Sequence, residues 1–382
     1  MEDIKRVKLS EIVELITKGT TPTTLGYEFQ DEGVNFLKIE CFDENGGFIE
    51  SKVAHISEEC HKKMKRSQLK NGDILFSIAG AIGRVAIVTE EMLPANINQA
   101  LAIIRISDEQ VYLPYIKLIL TSPIVIEQFE RKKQGVAQLN LSLKDINEIS
   151  IPLPSKDKQI ELAELFDKVV GVISKRNKEL SALDDLIKAR FVEMFGNPVT
   201  NEKGWNQKQL GEITTKLGSG ATPKGGKEAY QEDGITLIRS MNVHNGLFEY
   251  KELAHISEEQ ATKLDNVTIE ENDVLLNITG ASVARSCVVP SKILPARVNQ
   301  HVCIIRCNQR IVPEFLNKLL IDDNYQRLLW SIARGGATRE AITKQQVESL
   351  KIIVPPIELQ NQFADFVHQV DKSKVTVQKA FE

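Results

Sequence analysis

The stretch Leu93-Pro-Ala-Asn-Ile-Asn-Gln-Ala-Leu-Ala-Ile-Ile-Arg-Ile106 returns 201 residues further along the chain as Leu294-Pro-Ala-Arg-Val-Asn-Gln-His-Val-Cys-Ile-Ile-Arg-Cys307, with eight of the fourteen positions identical. A second stretch, Ala54–Glu59, returns unchanged as Ala254–Glu259. Solenoid proteins repeat every 20–50 residues or so, and a period of about 200 is far longer. The chain therefore consists of two copies of one unit, and we predict that each copy folds as a domain.

The apolar pattern within each copy predicts a mixture of strands and helices. In the first copy, short runs rich in Ile, Val and Phe are bounded by Gly, Pro or Asn, which is typical of strands. These runs are Gly33–Ile39, Asp73–Ile78 and Leu101–Ile106. Ser57 is a candidate N-cap of a short helix, and residues 114–133 predict a longer helix. We therefore predict two α+β domains related by approximate two-fold symmetry.

Each copy ends in a segment with the pattern of a long helix. From Ser155 to Phe195 the only Gly or Pro is Gly171, and apolar residues recur at alternating spacings of four and three. About forty residues give a helix of roughly 60 Å, and Gly196 is placed to end it. A helix of about 25 residues follows Pro355-Pro356 in the second copy. We predict that the two helices pair as an antiparallel coiled coil.

The long helix carries more apolar side chains than one pairing helix can cover. The additional ones include Leu165, Val172, Leu186 and Phe191. We interpret these four as a docking surface for helices of a partner protein that completes a bundle. The alternative is that the globular domains of the same chain cover them.

Composition excludes several classes of protein. The 382 residues carry 48 Lys and Arg against 52 Asp and Glu, a net charge of -4, which argues against a protein coated in positive charge throughout. No apolar run of about 18 residues indicates a membrane span, and no secretory signal is recognisable, so the cytoplasm is the expected compartment. The five cysteines are odd in number, widely spaced and without a Cys-x-x-Cys motif, so they do not predict disulfides.

Signatures of catalysis and metal binding are weak or missing. The sequence has no phosphate-binding loop, no His-Glu-x-x-His helix and no Gly-x-Ser-x-Gly elbow. The repeated His55 and His255 are interpreted as structural rather than as catalytic bases. Two groups have the composition of a metal site: His55, Cys60 and His61, and His301, Cys303 and Cys307. The second group falls in a predicted buried strand, where cysteine acts as a small apolar residue. We predict no catalytic residue, metal or cofactor.

Glycine, basic and amide side chains recur at one place in both copies. In the first copy Arg131–Lys133 precedes Gly135–Asn140, and the second copy has Arg334–Arg339 at the corresponding position. Such residues suit close approach to phosphates and hydrogen bonds to base edges. The alternative is a solvated loop after a helix.

The arrangement resembles the specificity subunit of Type I restriction-modification enzymes over essentially the whole chain. Leu-x-Glu-Ile followed by Gly-x-Thr-Pro stands at the start of each copy, and Asn98-Gln99 and Asn299-Gln300 precede apolar strands. The most specific likeness is the junction Arg190-Phe-Val-Glu-Met-Phe-Gly-Asn-Pro198 leading to Gly204-Trp205.

This resemblance implies an α+β fold of two pseudo-symmetric target-recognition domains joined by two long antiparallel coiled-coil helices. The implied domains are residues 1–154 and 197–356, and the spacer helices are 155–196 and 357–382. Each domain would read one half of a split, asymmetric target in double-stranded DNA. Two methyltransferase subunits would dock on the helices, and the restriction (motor-nuclease) subunits would join through them. This chain would be non-catalytic and without a cofactor.

DNA contacts are predicted in the loops where the two copies differ most, since the copies would read different half-sites. The residues are Lys132, Lys133, Gln138 and Asn140 in the first copy and Arg334, Thr338 and Arg339 in the second, with Arg84 and Arg285 as phosphate contacts. An alternative from another class is a coiled-coil scaffold whose two domains bind proteins and no nucleic acid.

Overall fold

A computed structural model of the chain describes residues 4–130, 140–223, 225–335 and 340–379. The chain divides into two compact units, unit 1 (Met1–Ser174) and unit 2 (Lys175–Glu382). The strands of unit 1 are β1 (Arg6–Lys8), β2 (Val13–Lys18), β3 (Val34–Leu37), β4 (Ala54–Ile56), β5 (Ile74–Ser77), β6 (Val85–Ile87), β7 (Ala95–Ile97), β8 (Leu101–Ile106) and β9 (Ser150–Pro152).

Three sheets organise the described part of unit 1. An antiparallel sheet has the strand order β2-β8-β5-β6, and a mixed sheet has the order β4-β3-β7, in which β3 pairs antiparallel with β4 and parallel with β7. The strands β1 and β9, near opposite ends of the first copy, form a third, two-stranded sheet. This last pairing joins the start of the domain to the segment that leads into the long helix.

Side chains alternate between two cores along the central strands of the four-stranded sheet. Ile74 and Ile104 pack with the helices of unit 1, whereas Leu75 and Ile103 pack towards the mixed sheet. Successive residues of a strand point to opposite faces, so both faces of this sheet are buried. This is why the strand segments are almost continuously apolar, as Leu101–Ile104 shows.

Among the residues that the structure describes, five α-helices belong wholly or partly to unit 1. They are α1 (Glu58–Lys63), α2 (Leu113–Leu120), α3 (Pro123–Glu130), α4 (Leu143–Asn147) and α5 (Lys156–Phe195). The predicted N-cap is confirmed, because the Ser57 hydroxyl accepts a hydrogen bond from the Cys60 amide at 3.2 Å.

The prediction of one helix over residues 114–133 is wrong within the described residues, where two helices occur. The hydroxyls of Thr121 and Ser122 donate to carbonyls of the last turn of α2, including Ile119 O at 2.6 Å. Pro123 cannot supply the amide that would continue α2, and it begins α3 instead. Residues 131–133 lie outside the described part of the chain.

Unit 2 repeats this architecture. Its strands are β10 (Gln207–Gln209), β11 (Thr214–Ser219), β12 (Ile235–Ile238), β13 (Val243–His244), β14 (Leu247–Phe248), β15 (Ala254–Ile256), β16 (Val274–Asn277), β17 (Ser286–Val288), β18 (Ala296–Val298), β19 (Val302–Cys307) and β20 (Lys351–Ile353). Its further helices are α6 (Glu258–Thr262), α7 (Pro313–Leu320), α8 (Asp323–Arg334), α9 (Lys344–Glu348) and α10 (Ile357–Lys379). The sheet orders β11-β19-β16-β17, β15-β12-β18 and β10-β20 match those of unit 1, and β13-β14 adds a hairpin. The prediction of two similar α+β domains is confirmed.

The long helix α5 has 40 residues and ends at Gly196, whose φ of +73° is the left-handed conformation expected after a helix. In unit 2 its C-terminal part packs against α10. The Phe191 and Phe195 rings each lie 5.5 Å from the Phe363 ring, and Lys374 bonds to Asp184. Later residues of α10 contact earlier residues of α5, so the two helices run antiparallel there, as predicted.

A buried glutamine anchors the start of each long helix. The Gln159 side chain accepts a hydrogen bond from the Tyr112 amide at 2.9 Å and donates to the carbonyls of Gln110 and Pro154. Gln360 makes the same three bonds in unit 2, to the Val312 amide and to the carbonyls of Arg310 and Pro355. The helix orientation relative to its own sheet is therefore fixed in the same way in both copies.

The cysteines of the two suspected metal groups behave as core residues. Burial raises the pKa of Cys303 to about 11, and burial together with Asp273 and Glu314 raises that of Cys307 to about 12, so both thiols remain protonated near neutral pH. Cys60 is buried, and its thiol contacts the Met64 sulfur at 3.5 Å. Across the described ranges, no group of His, Cys, Asp and Glu has the geometry of a metal site. None of the described helices is long and apolar enough to cross a membrane.

Candidate nucleic-acid interface

Two motifs that are far apart in sequence meet in each unit. A Cβ atom on Gly19 would lie 1.9 Å from the Ile97 carbonyl oxygen, and one on Gly220 would lie 1.8 Å from that of Val298. Only glycine allows the chain to pass so close to the strand end. The Gly-x-Thr-Pro turn is thereby held against the Asn-Gln pair that follows β7 in unit 1 and β18 in unit 2.

Side-chain hydrogen bonds then join the two motifs. The Thr21 hydroxyl donates to the Gln99 side-chain carbonyl, and the Thr222 hydroxyl donates in the same way to Gln300. Both glutamines are exposed. Each unit thus presents an oriented amide at the same surface position.

Backbone bonds place two further segments beside these motifs. The Ile78 amide donates to the Ala100 carbonyl at 2.8 Å, and the Leu141 amide donates to the Ile78 carbonyl at 2.9 Å. The loop between β5 and β6 therefore lies between the Asn-Gln pair and the segment that enters α4. In unit 2 the Ile342 amide donates to the Ile278 carbonyl at 2.8 Å in the equivalent arrangement.

We call each set of segments a loop cluster. In unit 1 it comprises residues 19–22, 79–84, 98–100 and 140–141, and in unit 2 residues 220–223, 279–285, 299–301 and 340–342. Each cluster brings together backbone turns, amide and hydroxyl side chains and one arginine. Such groups can donate hydrogen bonds both to phosphates and to base edges.

Some of the predicted DNA contacts lie in or beside the loop clusters. Arg84 and Arg285 are half-buried at corresponding ends of the two loops, and Asn140 is exposed next to Leu141. Arg334 is exposed at the end of α8, with its guanidinium 5.0 Å from the centre of the Trp330 ring. The remaining five predictions lie outside the described residues: Lys132, Lys133, Gln138, Thr338 and Arg339.

The Thr-Gln pairing was missed by sequence reasoning, although both motifs were recognised. Gln99 and Gln300 were noted as part of a family likeness and not as candidate contacts. The available signal was that each motif recurs in both copies at a fixed separation, since Thr21 and Gln99 are 78 residues apart and so are Thr222 and Gln300. A constant separation of this kind indicates a contact that both domains need.

A comparison with known protein families shows to which family the chain belongs. The sequence profile described as "Type I restriction modification DNA specificity domain" matches residues 1–182 and again residues 202–380. The chain belongs to this family. Each of its two units therefore carries one DNA specificity domain, and the coiled-coil scaffold without a DNA role is not favoured.

Individual relatives agree with the family match. The chain is 31% identical over 176 residues to the EcoBI specificity subunit of Escherichia coli, an alignment that covers 44% of this chain and 36% of that protein. It is 24% identical over 415 aligned positions to the MjaX specificity subunit, described as putative, of Methanocaldococcus jannaschii, which covers 99% of this chain and 91% of that protein.

Solved structures show the same fold. A chain from a study of complex assembly and conformational transition of the type I R-M system superposes with a TM-score of 0.58 at 17% identity, covering 98% of this chain and 92% of the other. The type I S subunit of M. genitalium superposes with a TM-score of 0.56 at 15% identity, covering 100% and 93%.

The predicted partner surface of the specificity subunit divides into two groups. Leu165, Val172 and Leu186 are exposed by 56%, 52% and 47%. Phe191 differs from the expectation, because it is 3% exposed and packs among Phe195, Phe315 and Phe363. We therefore leave Phe191 out of the surface available to a partner.

Proposed function

We propose that each unit reads one half of a split, asymmetric sequence in double-stranded DNA. The observation that supports this most directly is the repeated loop cluster, in which the framework is the same and the side chains around it differ. Identical frameworks with different loops suit two related half-sites of different sequence.

We further propose that α5 and α10 set the spacing of the half-sites and dock two methyltransferase subunits. Restriction subunits would join through these, and the chemistry and its cofactors would reside in the partners. The exposed Leu165, Val172 and Leu186 support the docking proposal, because they recur at multiples of seven residues along one helix and exposed apolar side chains in such a row suit packing against a partner helix.

A comparison of the two units sharpens the location of one docking surface. In unit 2, Phe363, Val367 and Val370 of α10 are buried, and Phe191 and Phe195 of α5 belong to the same core. The corresponding residues of unit 1 are Leu162, Phe166 and Val169, and Phe166 and Val169 are exposed by 46% and 48%.

These side chains line an open groove in unit 1. Its volume is about 430 Å³, and Tyr115, Leu118 and Ile119 of α2 form its other wall. Since a helix covers the corresponding face in unit 2, a partner helix is the expected occupant of the groove.

The experiment is co-expression of this chain with the methyltransferase subunit of its own system, followed by mapping of methylated adenines across the host genome. A single bipartite motif with two unlike halves is the expected result. Methylation without a defined sequence, or none in a complex that assembles, would contradict the proposal.

Paired variants test the docking surface. The double variant Phe166→Ser/Val169→Ser should reduce co-purification of the methyltransferase subunit without lowering the stability of the free chain, because both side chains are already exposed. Leu25→Ser is the matched control, since Leu25 is 48% exposed but lies in the turn Pro22–Leu25 of unit 1, distant from the long helix in sequence. Equal co-purification of both variants would contradict the docking surface.

A further inference from the structure

The two loop clusters differ in polarity at one corresponding place. In unit 2 the half-buried Thr279 and His301 stand beside the exposed Gln300. In unit 1 the corresponding residues are Ala79 and Ala100, beside Gln99. The Ile78 amide donates to the Ala100 carbonyl and the Ile278 amide to the His301 carbonyl in the same way, so these positions correspond, although the loop of unit 2 is one residue longer.

A hydrogen-bonded chain of four side chains occupies this place in unit 2. Thr222 donates to the carbonyl oxygen of the Gln300 side chain, and the Gln300 amide nitrogen lies 3.1 Å from Nε2 of His301. Nδ1 of His301 in turn contacts the Thr279 hydroxyl. In unit 1 the chain stops after its first link, between Thr21 and Gln99.

The direction of the hydrogen bonds follows from the orientation of Gln300. Its amide nitrogen can only donate, so Nε2 of His301 accepts and Nδ1 carries the proton. Nδ1 then donates to the Thr279 oxygen, which leaves the Thr279 hydroxyl hydrogen free. The second amide hydrogen of Gln300 has no acceptor among the described residues.

Among the described residues the network therefore leaves two hydrogen-bond donors without an acceptor, the Thr279 hydroxyl and one amide hydrogen of Gln300. The half-buried His301 is hydrogen-bonded to both Gln300 and Thr279, and it therefore fixes the orientation of both donors. Thr279 lies directly beside the segment entering α9, because the Gly280 amide donates to the Glu340 carbonyl at 2.9 Å. Thr279 therefore lies beside residues 340–342 of the unit 2 loop cluster.

We propose that Thr279 and Gln300, oriented by His301, donate hydrogen bonds to acceptor atoms on base edges in the half-site read by unit 2. This inference rests on the proposed function. In the major groove guanine offers two acceptors, and adenine and thymine offer one each, whereas cytosine offers a donor. Contact through the major groove accordingly selects against cytosine at the contacted bases.

Unit 1 selects differently at the corresponding place. Ala79 and Ala100 present methyl groups there, and alanine suits apolar contact with the methyl group of thymine. In this assignment Gln300 and Thr279 are specificity-determining residues, and His301 is a positioning residue that acts through them.

The test uses the complete complex of this chain with its methyltransferase subunit and compares methylation rates on duplexes that differ at single positions of the motif. His301→Ala and Thr279→Ala should each lower discrimination about five- to tenfold at one or two positions of one half-site. Discrimination in the other half-site should not change. Both variants introduce the residue that unit 1 carries naturally, so the fold has a precedent for them.

Two further variants make the result decisive. The reciprocal change Ala79→Thr/Ala100→His should alter preference in the other half-site only. His255→Ala is the matched control, because His255 is also a half-buried histidine of unit 2 but lies on β15 in the mixed sheet.

Unchanged discrimination in both halves for His301→Ala and Thr279→Ala, or an equal loss in both halves, would overturn the assignment. A wild-type complex that methylates no bipartite motif would instead show that the proposed function itself fails.

Discussion

Lys374 on α10 lies 2.5 Å from the Asp184 carboxylate on α5 and 3.0 Å from that of Asp371. The first of these bonds fastens the C-terminal helix to the long helix within unit 2. Burial lowers the pKa of Lys374, but the hydrogen bonds to Asp184 and Asp371 outweigh burial, and the net pKa is raised above the ordinary value of lysine.

This raised pKa predicts a loss of stability at alkaline pH. A lysine whose pKa is higher in the folded than in the unfolded chain stabilises the fold fully below the unfolded pKa of about 10.4. The stabilisation is lost as the pH rises through the folded pKa. Urea unfolding at a series of pH values should show that wild type and Lys374→Met differ by about 1 kcal/mol near neutrality and converge above about pH 10.5.

Lys372→Met is the control for this series. Lys372 is exposed two residues earlier on α10 and forms no ion pair within the described residues. Its variant should run parallel to wild type over the whole pH range. A constant difference between wild type and Lys374→Met would contradict the contribution of the ion pair.

Phe191 is expected to contribute strongly to the stability of unit 2. Its ring lies 5.3–5.8 Å from the rings of Phe195, Phe315 and Phe363. Phe191→Ala should lower the free energy of unfolding by about 3–5 kcal/mol, because the cavity has rigid neighbours. Tryptophan fluorescence during urea unfolding reports on this unit, since both tryptophans of the chain, Trp205 and Trp330, lie in it.

The neighbouring Val192 offers a matched comparison. It is 49% exposed, so Val192→Ala should cost less than about 1 kcal/mol. Similar losses in the two variants would mean that the aromatic cluster packs less tightly than its distances indicate.

In each unit a bidentate ion pair joins two neighbouring strands of the four-stranded sheet, and we expect it to contribute strongly to the stability of that unit. Arg105 contacts both carboxylate oxygens of Asp73 at 2.6 and 2.7 Å, and Arg306 contacts those of Asp273 at 2.8 and 2.9 Å. Arg105→Met would leave the buried Asp73 carboxylate without its partner, which costs about 3–5 kcal/mol. Hydrogen exchange measured by mass spectrometry should become faster in β5 and β8.

Arg306→Met provides the comparison in the other unit, where exchange should accelerate in β16 and β19 instead. The double variant Asp73→Asn/Arg105→Met should recover part of the stability lost in Arg105→Met, because no unpaired charge remains buried. A double variant less stable than Arg105→Met would count against this explanation.

Arg84 and Arg285 are predicted to contact phosphates. Arg84→Gln and Arg285→Gln should each weaken binding to a duplex carrying the motif and reduce the slope of log K against log salt by about 0.9. Since phosphate contacts carry no sequence information, the loss should be similar for all sequences. Lys158→Gln on α5 is the control for loss of one positive charge, and a slope equal to that of wild type in either arginine variant would exclude a phosphate contact.

The sequence by itself determined the large-scale plan of this protein. The repeat, the mixture of strands and helices and the extent of α5 could all be predicted, because each depends on local signals. Periodic apolar residues define a helix or strand face, Ser57 can cap a helix wherever it stands, and Gly196 ends one through its own backbone freedom.

The tertiary structure decided which of these surfaces are covered and which side chains meet. Phe166 lies on the periodic apolar seam of α5 and Phe191 lies beside that seam, yet the first ring is exposed and the second is buried, because periodicity marks a face without identifying its neighbour. The network from Thr222 to Thr279 likewise joins residues 57 positions apart. Such contacts arise only when sheet pairing brings distant loops together, and local sequence patterns carry no record of that pairing.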